Sequence, residues 1–253
     1  MDTPEQLLWS LGLIVGAVGL SVWQRLDLTM PILIAVGRSI LQMIVFCYLL
    51  AIVFALHSPW ATAIAALTLI GISSLLSKNQ INNRIPFLFP MLTGILLFSS
   101  VITLTYTHLF VTPNWRWFEA RSVLPFLGII LSSMGASTSA VIQLITSLNT
   151  HRLEIETHLS LGATPKQAIA QYQREAVRSA VMPQISALTI LGLGLLPTFL
   201  SGELIAGLDP LQAGAYQLLI LFMSLFATLL TTLLLTLTIS RQFLTKDAQL
   251  LTW

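Results

Sequence analysis

Long apolar runs separated by short polar stretches are the main pattern along this chain. Six runs contain no Asp, Glu, Lys or Arg: 6–24, 39–77, 85–115, 122–150, 179–202 and 210–240. About 20 apolar residues in a helix cross a bilayer core of about 30 Å. Five runs therefore predict one crossing each. The run 39–77 is long enough for two, and it is divided at His57-Ser58-Pro59-Trp60 because proline favours a break and tryptophan favours the membrane interface.

The pattern thus predicts an all-α polytopic membrane protein with about seven transmembrane helices. A β-barrel is not expected, because the runs are continuously apolar and do not alternate in ten-residue units. We expect residues 1–253 to form a single transmembrane permease domain with a cytoplasmic segment at about 150–181. The expected spans are 6–24, 31–56, 60–77, 85–111, 122–149, 182–207 and 212–240.

Composition excludes an ordinary soluble domain. Of the 253 residues, 55% are hydrophobic and 9% are charged, whereas about a quarter of the residues in soluble domains are charged. The net charge of +2 does not indicate nucleic-acid binding, because the basic residues are spread over several loops and form no patch.

The distribution of basic residues predicts the orientation in the membrane. With the N-terminus outside and the C-terminus cytoplasmic, the basic residues of the inner loops outnumber those of the outer loops, as the positive-inside rule requires. The chain is therefore expected to be a multi-pass protein of the cell's inner (plasma) membrane. The inner residues are Arg25, Lys78, Arg84, Arg152, Lys166, Arg174, Arg178, Arg241 and Lys246, and the outer ones are Arg116 and Arg121.

The polar stretch between the fifth and sixth predicted spans contains signals for two helices that meet at a corner. Gly162 is the residue type that most readily takes the left-handed conformation after a helix. Thr164 precedes Pro165, which suits the first helical position, and Gln167 follows in the order of a capping box. The sequence therefore predicts a sharp helix-turn-helix.

The first helix of this corner is predicted to carry an apolar stripe. Ile155 and Leu159 are four residues apart on one face, and Glu154, His158 and Lys166 supply a polar rim. Such a helix fits the groove of a partner protein. A surface helix that lies on the bilayer is the alternative interpretation.

The stretch "ETHLSLGATPKQA" resembles the coupling loop of ABC transporter permeases, in which a glutamate, small residues and a glycine mark the helix that docks into the ATPase. Here the glutamate is Glu156 and the glycine is Gly162. The chain more widely resembles the FetB or YbbM type of ABC permease, which is associated with iron export in bacteria and has plant relatives in aluminium tolerance. The stretches that carry this resemblance are "GRSILQ", "LEIETHLSLGATPKQAI", "VMPQISALTILGLGLLP" and "SGELIAGLDPLQAGAYQ".

The resemblance implies a transport subunit that is not itself an enzyme and has no cofactor of its own. No Gly-x-x-x-x-Gly-Lys-Ser/Thr loop occurs in these residues, so ATP and Mg are expected to bind a separate ABC ATPase subunit. A second permease copy would complete a homodimer. The expected cargo is a metal cation such as iron, or a metal complex, and a small polar molecule such as a sugar nucleotide is the open alternative. The residues that would contact the ATPase are Glu156, Leu159, Ser160, Leu161, Gly162, Ala163, Thr164 and Pro165.

Four residues within the predicted spans are candidates for the transport path: Arg38, Gln42, Met134 and Glu203. Charged groups in a membrane are costly and often functional. Arg38 is equally compatible with anchoring at the interface, and Glu203 with an outer interfacial position. The small residues around Met134 suit either helix packing or a cavity wall. The four histidines have no ligand spacing, so no metal site is predicted.

Two other functions fit parts of the sequence. An ion-coupled secondary transporter of a small polar solute has the same composition, but it leaves the corner between Glu156 and Gly162 unexplained. An intramembrane serine protease is suggested by "GASTSA" at 135–140. That chemistry needs a histidine to activate the serine, and no histidine follows His158.

Overall fold

The computed structural model describes residues 4–56, 58–81, 87–111, 120–191 and 196–243. These residues are helical with short connections and contain no β-strand, which confirms the all-α prediction for the described part of the chain. The helices are Pro4–Trp23 (α1), Thr29–Leu56 (α2), Pro59–Gln80 (α3), Leu88–Tyr106 (α4), Ala120–Thr150 (α5), Arg152–Ser160 (α6), Pro165–Ile190 (α7), Thr198–Ile205 (α8) and Pro210–Phe243 (α9), and a π-helical turn, Thr107–Val111, follows α4.

Five of the described helices are long and apolar enough to cross a membrane. They are α2, α3, α4 with its π-helical turn, α5 and α9. The first predicted span corresponds to α1, whose apolar part among the described side chains is the shorter stretch Gly12–Trp23. The count of seven spans therefore stays a prediction.

The sixth predicted span, 182–207, is not one continuous helix. The helix α7 ends at Ile190, and α8 begins at Thr198. Pro197 precedes α8 in an extended conformation with φ −61° and ψ 149°, and a proline cannot continue a helix that comes before it. Residues 192–195 lie outside the described residues. This stretch is therefore divided between the end of α7 and the short helix α8.

The chain divides into two compact units, 1–56 and 57–253. In the first unit, α1 and α2 contact each other. The turn between them contains Arg25 and Asp27, with φ values of 51° and 53°.

The second unit is built around α5 and α9. The helix α5 contacts α3, α4, α7 and α9, and α9 also contacts α4, α7 and α8. At 34 residues, α9 is about 51 Å long. A buried cluster of Phe126 and Ile130 from α5 with Met223 and Ala227 from α9 joins the two helices.

Buried hydroxyl groups link α4, α5 and α9. Thr231 donates a hydrogen bond to the hydroxyl of Ser99 at 2.9 Å, and the hydroxyls of Ser137 and Thr232 are 2.8 Å apart. All four side chains are fully buried. Small hydroxyl residues let membrane helices pack closely and bond across the interface. Ser137, which lies close to Met134 in sequence, therefore packs against α9 in this unit.

Candidate functional site

The helix α7 carries the corner directly into the body of the second unit. It runs without interruption from Pro165 to Ile190, so the predicted second helix of the corner and the start of the predicted sixth span are one helix. Along its length α7 contacts α5 and α9 as well as α6. The corner is therefore joined by one continuous helix to contacts with the two central helices.

The end of α6 has the backbone geometry predicted for it. Gly162 has φ +92°, a conformation that glycine adopts without a steric cost. Its amide donates to the carbonyl of Leu159 at 3.1 Å, and the amide of Ala163 donates to the carbonyl of His158 at 3.0 Å. These two bonds form a Schellman motif, which satisfies the last carbonyl groups of α6 and stops the helix.

The start of α7 is fixed by the predicted capping box. The amide of Gln167 donates to the side chain of Thr164 at 3.4 Å, and the amide of Thr164 donates to the side chain of Gln167 at 2.9 Å. Pro165 occupies the first turn. Only four residues, 161–164, separate the two helices, so the corner is tight.

The apolar stripe of α6 is at least partly buried within the chain, and Leu159 stays a predicted contact of the partner. Ile155 is 0% exposed, and Leu159 is half-buried, because this face of α6 packs on α7. The apolar side chains that remain open are Leu153 and Leu161, which are 81% and 79% exposed. Of the apolar residues predicted to contact a partner, Leu161 is therefore the one most available to it.

The other residues predicted to contact the ATPase are at least partly accessible. Ser160, Gly162 and Thr164 are exposed, whereas Ala163 and Pro165 are half-buried. The remaining one, Glu156, accepts a hydrogen bond from Arg152 at 2.6 Å. An exposed pair of this kind contributes about 0.3–0.5 kcal/mol, so a partner protein can replace it at little cost.

A hydrogen bond and a ring stack link the α6 end of the corner to α7. The hydroxyl of Tyr172 donates to the carboxylate of Glu154 at 2.9 Å. The ring of His151 stacks on that of Tyr172, with centroids 5.1 Å apart. Burial, together with the neighbouring carboxylates of Glu154 and Glu175, raises the pKa of Tyr172 to about 12. Glu154 is therefore part of the link between the helices, and not only of the polar rim that the sequence suggests.

The predicted path residues belong to both units of the chain. Arg38 and Gln42 are exposed on α2 in the first unit. Met134 lies on α5 and is 1% exposed, so it is a packed core residue. Glu203 lies on α8 and lines a cavity. Among the described residues, no group of three or more His, Cys, Asp or Glu side chains is placed to hold a metal ion.

The cavity next to Glu203 has a volume of about 240 Å³ and lies between α5, α8 and α9. Its wall on α5 comes from residues in the first three turns, such as Phe126, whereas the corner follows the C-terminus of the same helix at Thr150. At 31 residues, α5 is about 46 Å long. The cavity and the corner therefore lie at opposite ends of the second unit.

The sequence pattern did not predict the hydrogen bond between Glu154 and Tyr172. Tyr172 belongs to an apolar face of α7 that repeats every four residues, with Ala168, Ala176 and Ala180. That repeat marks the buried face of α7, but it gives no sign of the bond to Glu154, 18 residues away.

Comparison with known proteins gives a consistent result. The profile of the family described as "Uncharacterised protein family (UPF0014)" matches residues 4–244. The chain is 40% identical over 244 residues to a "UPF0014 membrane protein" of Synechocystis, and the match covers 96% of this chain and 94% of that protein. No solved structure matches the chain significantly.

Two further relatives have names that refer to metals. The "Probable iron export permease protein FetB" of Escherichia coli is 30% identical over 250 residues, covering 98% of this chain and 95% of its own length. "Protein ALUMINUM SENSITIVE 3" of Arabidopsis thaliana is 26% identical over 244 residues, covering 96% and 88%. The resemblance to the FetB type that the sequence suggested is confirmed by these matches.

Proposed function

From the premise that this chain belongs to the UPF0014 family, we propose that it is the membrane permease subunit of an ABC transporter. The single observation that carries this proposal is the corner between α6 and α7. A tight, exposed corner that continues into a helix packed on α5 and α9 is suited to transmit a movement from a bound ATPase subunit to the membrane helices.

In this proposal, transport is driven by a separate ATPase subunit that binds ATP and Mg. Leu161 is the apolar contact, and Glu156 and Thr164 are polar contacts beside it. Closure of the ATPases on nucleotide displaces the corner, and α7 passes the movement to the central helices as a rigid element. Two permease copies form the assembly, with the corners in the cytoplasm of a cell bounded by the plasma membrane.

The cargo in this proposal is a metal cation such as iron, or a metal complex, moved out of the cell. The name of the Escherichia coli relative supports this class. Glu203 is the acidic candidate for the path, because it lines a cavity at the end of α5 remote from the corner. With the corner cytoplasmic, that cavity lies on the outer side. Arg38, Gln42 and Met134 stay candidates with weaker support.

An ion-coupled secondary transporter of a small polar solute is the alternative function. Such a protein changes conformation by binding its solute and coupling ion, so it needs no exposed docking corner. The accessible side chain of Leu161 favours the ABC assignment.

Purification of the permease from the membranes of its own cells in mild detergent tests the proposal. We expect a second chain to co-purify in a fixed ratio, to carry a Gly-x-x-x-x-Gly-Lys-Ser/Thr loop, and to hydrolyse ATP only when Mg is present. Transport of cargo by the permease without any such chain would instead support the secondary transporter.

A further inference from the structure

The cavity between α5, α8 and α9 combines one carboxylate with several aromatic rings. Glu203 shares its wall with Phe126, Phe199 and Tyr216, and most of the remaining lining is aliphatic. We propose that this cavity is a binding site for an organic cation, held by the carboxylate of Glu203 and the faces of the surrounding rings.

The charge on the ligand follows from the surroundings of Glu203. Its Oε2 atom is buried, and no described group donates a hydrogen bond to it. A buried carboxylate oxygen without a partner is costly unless an opposite charge approaches it. Glu203 also lies in the last turn of α8, where the helix dipole disfavours a negative charge and favours a cation. A bound cation would stabilise the buried carboxylate oxygen and would also interact favourably with the C-terminal end of the α8 dipole.

The organic character of the ligand follows from the donor set. Among the described lining residues Glu203 is the single acidic side chain, and none is histidine or cysteine. A bare metal ion needs several oxygen, nitrogen or sulfur ligands, and a hydrated one needs acceptors for its water molecules. Aromatic faces instead attract weakly hydrated cations such as quaternary ammonium groups. The cavity therefore suits an ammonium-type ligand better than a free metal ion.

Binding to this cavity is separate from the action of the ATPase. The site does not have to lie on the transport path, so a metal cargo and an organic cation bound in this cavity do not conflict. Binding is measured on the purified permease alone, so failure of this inference leaves the ATPase-driven function untouched, and failure of the ATPase function leaves the binding site untouched.

Equilibrium dialysis of the purified permease with radiolabelled tetraethylammonium tests the site. We expect saturable binding at one site per chain, with weaker competition from Mn²⁺ than from unlabelled tetraethylammonium. Glu203→Gln is expected to weaken binding at least about tenfold, because it removes the charge with little change in shape. Phe199→Leu is expected to weaken it about threefold, since the aromatic face is lost while an apolar side chain is kept.

A control variant separates this site from general electrostatic attraction. Asp209→Asn removes a carboxylate that lies close in sequence and caps α9, with its Oδ2 3.2 Å from the amide of Leu211. Asparagine caps helices as well as aspartate does, so tetraethylammonium binding should stay unchanged. Binding that Glu203→Gln leaves intact, or that Mn²⁺ displaces more effectively than tetraethylammonium does, would overturn the proposal.

Discussion

The substitution Leu161→Asp is expected to release the ATPase and to stop transport while the permease still inserts into the membrane. Leu161 is 79% exposed beside Gly162, so the permease itself tolerates a charge at this position. In the assembled transporter the same side chain is proposed to be buried against the partner. An unpaired charge buried there costs about 3 kcal/mol or more, which corresponds to a loss of affinity of about 100-fold.

Co-purification and transport rates in cells measure this effect. Leu161→Met, which keeps the apolar character and size, should retain both activities. Leu211→Asp places the same charge at another exposed leucine, 86% exposed at the start of α9, and should still bind the ATPase. If Leu161→Asp bound the ATPase as tightly as the unmodified chain does, the proposed docking surface would be wrong.

The substitution Ile155→Asp is expected to separate α6 from α7. Ile155 is 0% exposed, and α6 contacts α7 and α5, so no water reaches the new carboxylate. An uncompensated buried charge costs about 3–5 kcal/mol, which is enough to open a nine-residue helix held by few contacts. Hydrogen exchange of the α6 amides should rise strongly, and transport should be lost. The same substitution at Leu153, which is 81% exposed, should leave the exchange unchanged.

The ionisation of Tyr172 gives an independent measure of this packing. The folded corner raises the pKa of Tyr172 to about 12 from an ordinary value of 10.0. The corresponding stabilisation is present below pH 10 and is lost as the pH rises through 12. In Ile155→Asp the pKa should fall towards 10, as measured by ultraviolet difference titration against Tyr172→Phe. An unchanged pKa together with slow hydrogen exchange would mean that α6 does not depend on Ile155.

The turn at the corner was predictable because its signals are local. Gly162, Thr164 and Gln167 act within a few residues of one another, and the backbone has the conformation that those residues favour. The orientation of α6 was not predictable in the same way. Apolar residues lie on both sides of this short helix, and its packing on neighbouring helices determines that Ile155 is buried and Leu153 is open.

The long apolar helices were also predictable, because length and continuous hydropathy are properties of single segments. The division near Pro197 is different, because a continuous apolar run does not fix where α7 ends and α8 begins. The cavity could not be predicted from the sequence, because its lining residues lie far apart along the chain. Glu203 was a candidate as an acidic residue in an apolar run, but Phe126, Phe199 and Tyr216 come together with it only when α5, α8 and α9 pack.

The central claim is that an ATPase acts through this permease to move a cation across a membrane. The most direct measurement is the flux of radiolabelled iron ions in liposomes that contain the purified permease with the co-purifying ATPase outside. We predict that iron accumulates inside only when ATP, Mg and both chains are present. Iron accumulation by the permease alone, driven by an ion gradient and insensitive to ATP, would contradict the claim.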